Sequence, residues 1–219
     1  GFADTFTNSG SAGDVTPPAV AVNAPNGGED WKAGSTHAIT WTATDNVAVT
    51  TVDLAWSANG GASFPNAIAT GIANSGSYSW AVPNLPTTTA RVRVVAHDAA
   101  GNLGADSSAT NFAISTWTIT ASAGANGGIV PSGAVAVVQG ASQHFSVAPA
   151  TGYHVATLTV DGGAIAPDTT YTFPNVTANH TIAATFSADA FSLTVATVGA
   201  GTVTKSPDQP SYLYGSSVQ

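Results

Sequence analysis

The stretch "THAITWTATDNVAVTTVDLAWSANGG" (36–61) decides the fold. It reads as two strands and a turn. In "THAITWTAT" Ile39 and Trp41 fall on one face, Thr40 and Thr42 on the other. In "TTVDLAWSA" Val52, Leu54 and Trp56 point one way, Thr51, Asp53 and Ala55 the other. A period of two, carried by β-branched and aromatic residues, marks a half-buried strand. "NGG" (59–61) supplies a hairpin turn, because Asn and Gly tolerate positive φ. Helical periodicity is absent from the chain.

Working outward, "AVAVNAP" precedes these strands, and "SFPNAIAT" follows them as a short edge strand in which Pro65 does little harm. "SYSWAV" puts Tyr78, Trp80 and Val82 on one face. "ARVRVVAHD" sends Arg91 and Arg93 outward and Val92 and Val94 inward. "DAAGN" (98–102) is a tight turn, and "TNFAI" closes the module. Seven short strands in ~100 residues fit an immunoglobulin-like β-sandwich.

Beyond residue 115 the chain repeats itself. "WTITASAGANGGIVPSGAVAVVQGASQHF" (117–145) parallels "FSLTVATVGAGTVTKSPDQPSYLYGSSVQ" (191–219) at a period of ~74 residues. Each has an aromatic-led strand, a Gly-rich turn, a short "GIV" or "GTV" strand and a loop bearing Pro and Ser. "YTFPNVTANHTIAATF" (171–186) closes the first copy. His180, Ile182, Ala184 and Phe186 share one of its faces, with His180 at the start of that apolar face. The expected architecture is all-β: residues 1–15 a linker or the end of an upstream domain, 16–115 the sandwich, 116–188 a complete β-repeat, and 189–219 a partial second copy. That partial copy would expose unpaired strand edges and an apolar face of Leu193, Val195, Val203 and Leu213, a template for another chain.

Composition narrows the habitat and the partners. Four Lys and Arg stand against twelve Asp and Glu, for a net charge of −8. So few cations cannot neutralise many phosphates, so neither nucleic acid nor an anionic membrane surface is an expected partner. Only 7% of residues are charged, far below the ~25% of an ordinary domain. Hydroxyls and amides keep the surface wet instead, which suits an extracellular or cell-surface β protein. There is no Cys and no Met, so neither a disulfide nor a thiolate metal site can form. A start at "GFADTF" without Met implies that a signal peptide or a larger upstream domain was removed. No apolar run approaches the ~20 residues of a membrane helix.

Two resemblances rest on these residues. "APNGGEDWKAGSTHAITWTATDN", with Pro25, Gly27, Gly28, Trp31, Gly34, Ile39 and Trp41 in place, is similar to the bacterial and fungal Ig-like domains related to the Kre9/KNH family. The likeness covers about residues 16–115. It implies a secreted sandwich module appended to an extracellular enzyme or surface protein, and it brings no catalytic residues. "GGIVPSG", "GASQHFSVAPATGYHVATLTVDG" and "YTFPNVTANHTIAATF" resemble the bacterial repeats related to the InlB B-repeat. That likeness covers 117–187, with a truncated copy at 191–219. It implies spacing and adhesion without enzyme activity.

The chain holds no nucleophile elbow, no H-E-x-x-H and no phosphate loop, and "GAGTVT" (199–204) lacks the third glycine of a dinucleotide loop. The expectation is therefore no catalysis, no cofactor and no metal. His144 and His154 would meet across a hairpin, but Phe145 and Val147 claim the inward face of that strand, so His144 is read as solvent-facing. Asp45, Asp53 and Asp98, with Asn46 and Asn102, would gather at one end of the sandwich. They read as turn caps, with calcium held by hard oxygen ligands as the alternative. Asn175 and Asn179 head Asn-x-Thr triplets and read as strand-edge polar residues. Trp41, Trp56 and Trp80 alternate with Val, Leu and Ile and read as core. A sugar-stacking platform, if present, would use Trp31, placed in a loop, or the Tyr212 and Tyr214 pair.

The function these observations favour is a non-catalytic accessory or adhesive stalk of a larger secreted bacterial protein. The alternatives are a polysaccharide-binding module serving a secreted enzyme, and a filament subunit that assembles by strand exchange through residues 190–219. Expected partners are polysaccharide or cell-surface components, neighbouring modules of the parent chain, or further copies of the chain.

Overall fold

A computed structural model describes residues 13–219; the linker expected at 1–15 lies, for residues 1–12, outside the described residues. The described chain is all-β, as expected, with no helix. It divides into two compact units at Ser115/Thr116.

The first unit contains β1 (Ala19–Ala24), β2 (Asp30–Lys32), β3 (Thr36–Thr44), β4 (Val49–Ser57), β5 (Asn66–Ile72), β6 (Ser77–Ala81), β7 (Thr87–Asp98), β8 (Leu103–Ser107) and β9 (Phe112–Ser115). One sheet runs β1-β3-β6. The other runs β2-β9-β7-β4-β5, with β8 also paired to β7. The period of two explains the core. Ile39 and Trp41 of β3, and Val52, Leu54 and Trp56 of β4, are all buried, and the two sheets meet where Trp56 packs on Trp80 at 5.9 Å between ring centroids. β5 is an edge strand.

Two strands escaped the sequence reading. β2 is three residues long and pairs in parallel with β9. β8 pairs antiparallel with β7 and lies so close to the first strand that a Cβ at Gly104 would stand 1.7 Å from the Pro18 carbonyl oxygen. Only glycine permits that approach. The Asp106 carboxylate of β8 then accepts a hydrogen bond from the Val22 amide of β1 at 2.8 Å. Ser108, just beyond, is 1% exposed. It accepts from the Val92 amide and donates to the Pro25 carbonyl, so its hydroxyl satisfies two buried backbone groups.

The second unit contains β10 (Trp117–Ala123), β11 (Gly127–Val130), β12 (Gly133–Val137), β13 (Gln143–Pro149), β14 (Tyr153–Val160), β15 (Gly163–Ile165), β16 (Thr170–Phe173), β17 (His180–Ala188), β18 (Ala190–Phe191) and β19 (Tyr212–Leu213). Its main sheet runs β12-β10-β17-β14-β15, and a second runs β11-β13-β16. The core gathers Ile119, Phe145, Leu158, Val176 and Ile182, each at most 1% exposed. The stretch at 171–186 is two strands joined by a loop at 174–179. In that loop Asn175 adopts φ 45°, and the Asn179 side chain accepts from the Thr118 amide. β17 is central: it pairs in parallel with β10 and antiparallel with β14.

The second copy of the repeat builds only β18 and β19. In the first copy β10 is held between β12 and β17. Leu193, Val195, Val203 and Leu213 are 42, 42, 60 and 58% exposed.

Candidate functional site

Trp31 is not a loop residue. It lies in β2 and is 8% exposed. Pairing of Asp30, Trp31 and Lys32 with Ala113, Ile114 and Ser115 turns its ring inward. One ring face is stacked on the His37 imidazole at 4.5 Å and 3°, and its flanks meet Phe112 at 5.3 Å and Trp80 at 6.0 Å. The sequence reading missed this because glycines on both sides of Trp31 resemble loop punctuation.

Tyr212 and Tyr214 part company. Tyr212 is 7% exposed; its hydroxyl donates to the Pro207 carbonyl at 2.8 Å and accepts from the Gln209 amide. Tyr214 is 47% exposed. Its ring lies against Gly152, where a Cβ would come within 2.2 Å of it, and meets Tyr153 edge-on at 6.1 Å. Of the three stacking candidates, Tyr214 alone presents an open ring.

The histidines are dispersed among separate partners. His144 is exposed, as expected, and bonds to Thr172. His154 bonds to Asp189 at 2.8 Å, His97 to Asp53 at 2.9 Å, and His180 to Asp161 at 2.7 Å. His180 does open the apolar face of its strand, half-buried and tilted over Phe173 at 4.9 Å.

Two carboxylates, Asp30 beside Lys32 and Asp161 beside His180, have lowered pKa values. Asp30 is pushed below its ordinary value of 3.8 by the hydrogen bond from Lys32 and then that from Ser115. Asp161 is pushed below it by the hydrogen bond from His180 and then that from the Thr181 amide. A carboxyl whose folded pKa is depressed stabilises the fold above its unfolded pKa and loses that contribution as pH falls through the folded value. The melting temperature should therefore decline as pH falls below about 4. Asp161→Asn should flatten that decline for the repeat's transition alone. A melting temperature that rises on acidification contradicts both assignments.

The acidic turns behave as expected in part. Asp53 stands apart, its carboxylate engaged by His97 and by the Gly71 amide. Asp45 and Asp98 do come together, joined by Asp14 from the stretch that reads in sequence as linker. Asn46 and Asn102 both donate to Asp14, to its carboxylate and its carbonyl. Burial raises the Asp98 pKa, and hydrogen bonds from the Asn102 side chain and amide outweigh it, so the group sits below its ordinary value. Nothing in local sequence links Asp14 to a turn more than 80 residues away; the link comes only with the fold.

A search of curated proteins gives no match. Among solved structures the chain is similar to the fibronectin(III)-like modules of Clostridium thermocellum CbhA, 14% identical over 78% of this chain and 94% of that one, at a TM-score of 0.34. It is also similar to the N-terminal four Ig domains of Dscam1 isoform 4.44, 10% identical over 78% of this chain and 46% of that one, at a TM-score of 0.31. Residues 24–96 match the Kre9/KNH-like N-terminal Ig-like domain and residues 117–190 the divergent InlB B-repeat domain, so both resemblances drawn from the sequence are borne out.

Proposed function

We propose that this chain is a non-catalytic stalk or adhesive segment of a secreted or surface protein, acting as a spacer and a contact surface. The observation that carries the reading is the pairing of two separately cored β modules, of the Ig-like and B-repeat types, in one chain. The polar side chains support it. Ser57, Asp45 and Asp98 bond to turn amides, Asp161 bonds to the Thr181 amide of β17, and the imidazoles of His97, His154 and His180 pair with single carboxylates. None of these arrangements brings a nucleophile, a base and an oxyanion site together.

A polysaccharide-binding role is the rival, and Tyr214 is where it would be read. The 219-residue chain, incubated with insoluble glycans, should be retained no better than Tyr214→Ala. Retention that falls at least tenfold on that substitution would transfer the function to binding. The filament reading is favoured by one observation, the exposed apolar side chains of Leu193, Val195 and Val203. Sizing the purified chain separates it: a monomer whose tail beyond Ala190 is quickly cleaved removes the filament, and long polymers with a protected tail establish it.

A further inference from the structure

We propose that Asp14, Asp45 and Asp98 form a calcium site at one end of the sandwich. Asp14 precedes β1, Asp45 follows β3 and Asp98 ends β7. Each offers one carboxylate oxygen, and the three lie within 4.8 Å of one another. Three points so placed share a centre no more than ~2.8 Å from each, close to the 2.3–2.6 Å of a calcium–oxygen contact.

The hydrogen bonds around the cluster set the carboxylates in place and leave two oxygens over. Asp14 Oδ1 accepts from the Thr16 amide at 3.0 Å and Asn46 Nδ2 at 3.1 Å. Asp45 Oδ2 accepts from the Val47 and Ala48 amides. Asp98, 6% exposed, accepts from the Asn102 amide at 2.7 Å and its Nδ2 at 2.6 Å. Asp14 Oδ2 and Asp45 Oδ1 are sealed from solvent and accept nothing. Capping accounts for one oxygen each of Asp14 and Asp45 and for both of Asp98. It leaves both orphans unexplained, and an unpaired buried carboxylate oxygen is costly.

Charge points the same way. Three carboxylates at this separation repel, and the protein's own cations are engaged elsewhere. Lys32 pairs with Asp30 and Lys205 with Asp208. Arg91 donates to Asn111, and Arg93 lies over Phe64. The donor set is oxygen alone. That disfavours zinc, which prefers nitrogen and sulfur. Magnesium demands shorter contacts in a stricter octahedron, whereas calcium accepts six to eight oxygens in a flexible shell that water completes. Such an ion would tie the segment leading into β1 to the β3–β4 and β7–β8 turns. This site stands whether or not the stalk reading holds.

The test uses the full chain stripped with EDTA and titrated with calcium chloride. We expect one calcium per chain, with affinity in the ~0.1–1 mM range of extracellular modules, and at least tenfold weaker binding of magnesium. At a hundredfold excess over Kd the sandwich transition should rise by more than about 5 °C. Asp45→Asn keeps an oxygen to cap Val47 and Ala48 but removes one charge and one ligand. It should bind calcium at least tenfold more weakly, yet melt in EDTA no lower than the parent, because repulsion is eased. Absence of heat and of any thermal shift up to ~10 mM calcium overturns the site. So does Asp45→Asn responding to calcium as the parent does.

Discussion

Phe145→Ala should unfold the repeat and leave the sandwich standing. Phe145 is 0% exposed in β13. It meets Phe173 edge-on at 5.9 Å within the core that also holds Ile119, Leu158 and Ile182. Truncating a buried Phe costs about 3–5 kcal/mol, from lost transfer energy and the cavity left behind. A module of ~70–100 residues sits near the lower end of the ~5–15 kcal/mol typical of domains, so the loss consumes most of its stability. The sandwich shares none of that core. Four of the five tryptophans, Trp31, Trp41, Trp56 and Trp80, lie in the sandwich, and Trp117 lies in the repeat. Tryptophan emission therefore follows mainly the first unit, while far-ultraviolet circular dichroism follows both. The expected result is a circular-dichroism transition lowered by tens of degrees beside an emission transition that hardly moves. If both move together, the two cores are not independent.

The strands legible in sequence are those whose own residues alternate. β4 and β7 bury every second side chain over most of their length, and β3 and β6 bury Ile39, Trp41 and Trp80 in the same phase, because a sheet with one face on a core imposes the period of two on its sequence. β2 and β8 carry no such record. β2 is three residues held by a parallel partner more than 80 positions away. β8 is defined by its pairing with β7 and by a glycine that lets backbone approach backbone. Long-range pairing of short, polar segments leaves little in a local window. The same reason hid Asp14 from the acidic cluster. Its neighbours in space come from the turn at Asp45 and the turn at Asp98, while its neighbours in sequence, Gly13 and Val15, look like linker.

The second copy shows the converse. "FSLTVAT" (191–197) carries the alternation of β10 yet, beyond Phe191, forms no strand. Alternation specifies which face a strand would bury; it does not supply the neighbour that accepts its hydrogen bonds. In the first copy that neighbour is β17, which seals β10 along its edge. The apolar side chains of Leu193, Val195 and Val203 are in contact with water. The stretch at 171–186 supplies the strand that seals β10 in the first copy.

Trp31→Ala should strongly destabilise the sandwich, and its effect bears on how any loss of glycan retention is read. The ring is 8% exposed and fills the space between the sheets, stacked on His37 of β3 and flanked by Phe112 of β9 and Trp80 of β6. Removing it costs about 3–5 kcal/mol, because the ring's area returns to water and its neighbours lose their contacts. It also strips the aromatic anchor from a strand only three residues long, whose flanking hydrogen bonds include the Ala33 amide to the Ser115 carbonyl at 2.8 Å. The sandwich transition should fall by more than about 10 °C, with the repeat's transition unmoved. Trp31→Phe keeps a flat ring against His37 and should recover more than half of that loss. A surface stacking residue would behave otherwise: its alanine variant would melt with the parent and lose only ligand. Unchanged melting of Trp31→Ala therefore refutes the buried placement and returns Trp31 to the surface as a binding residue.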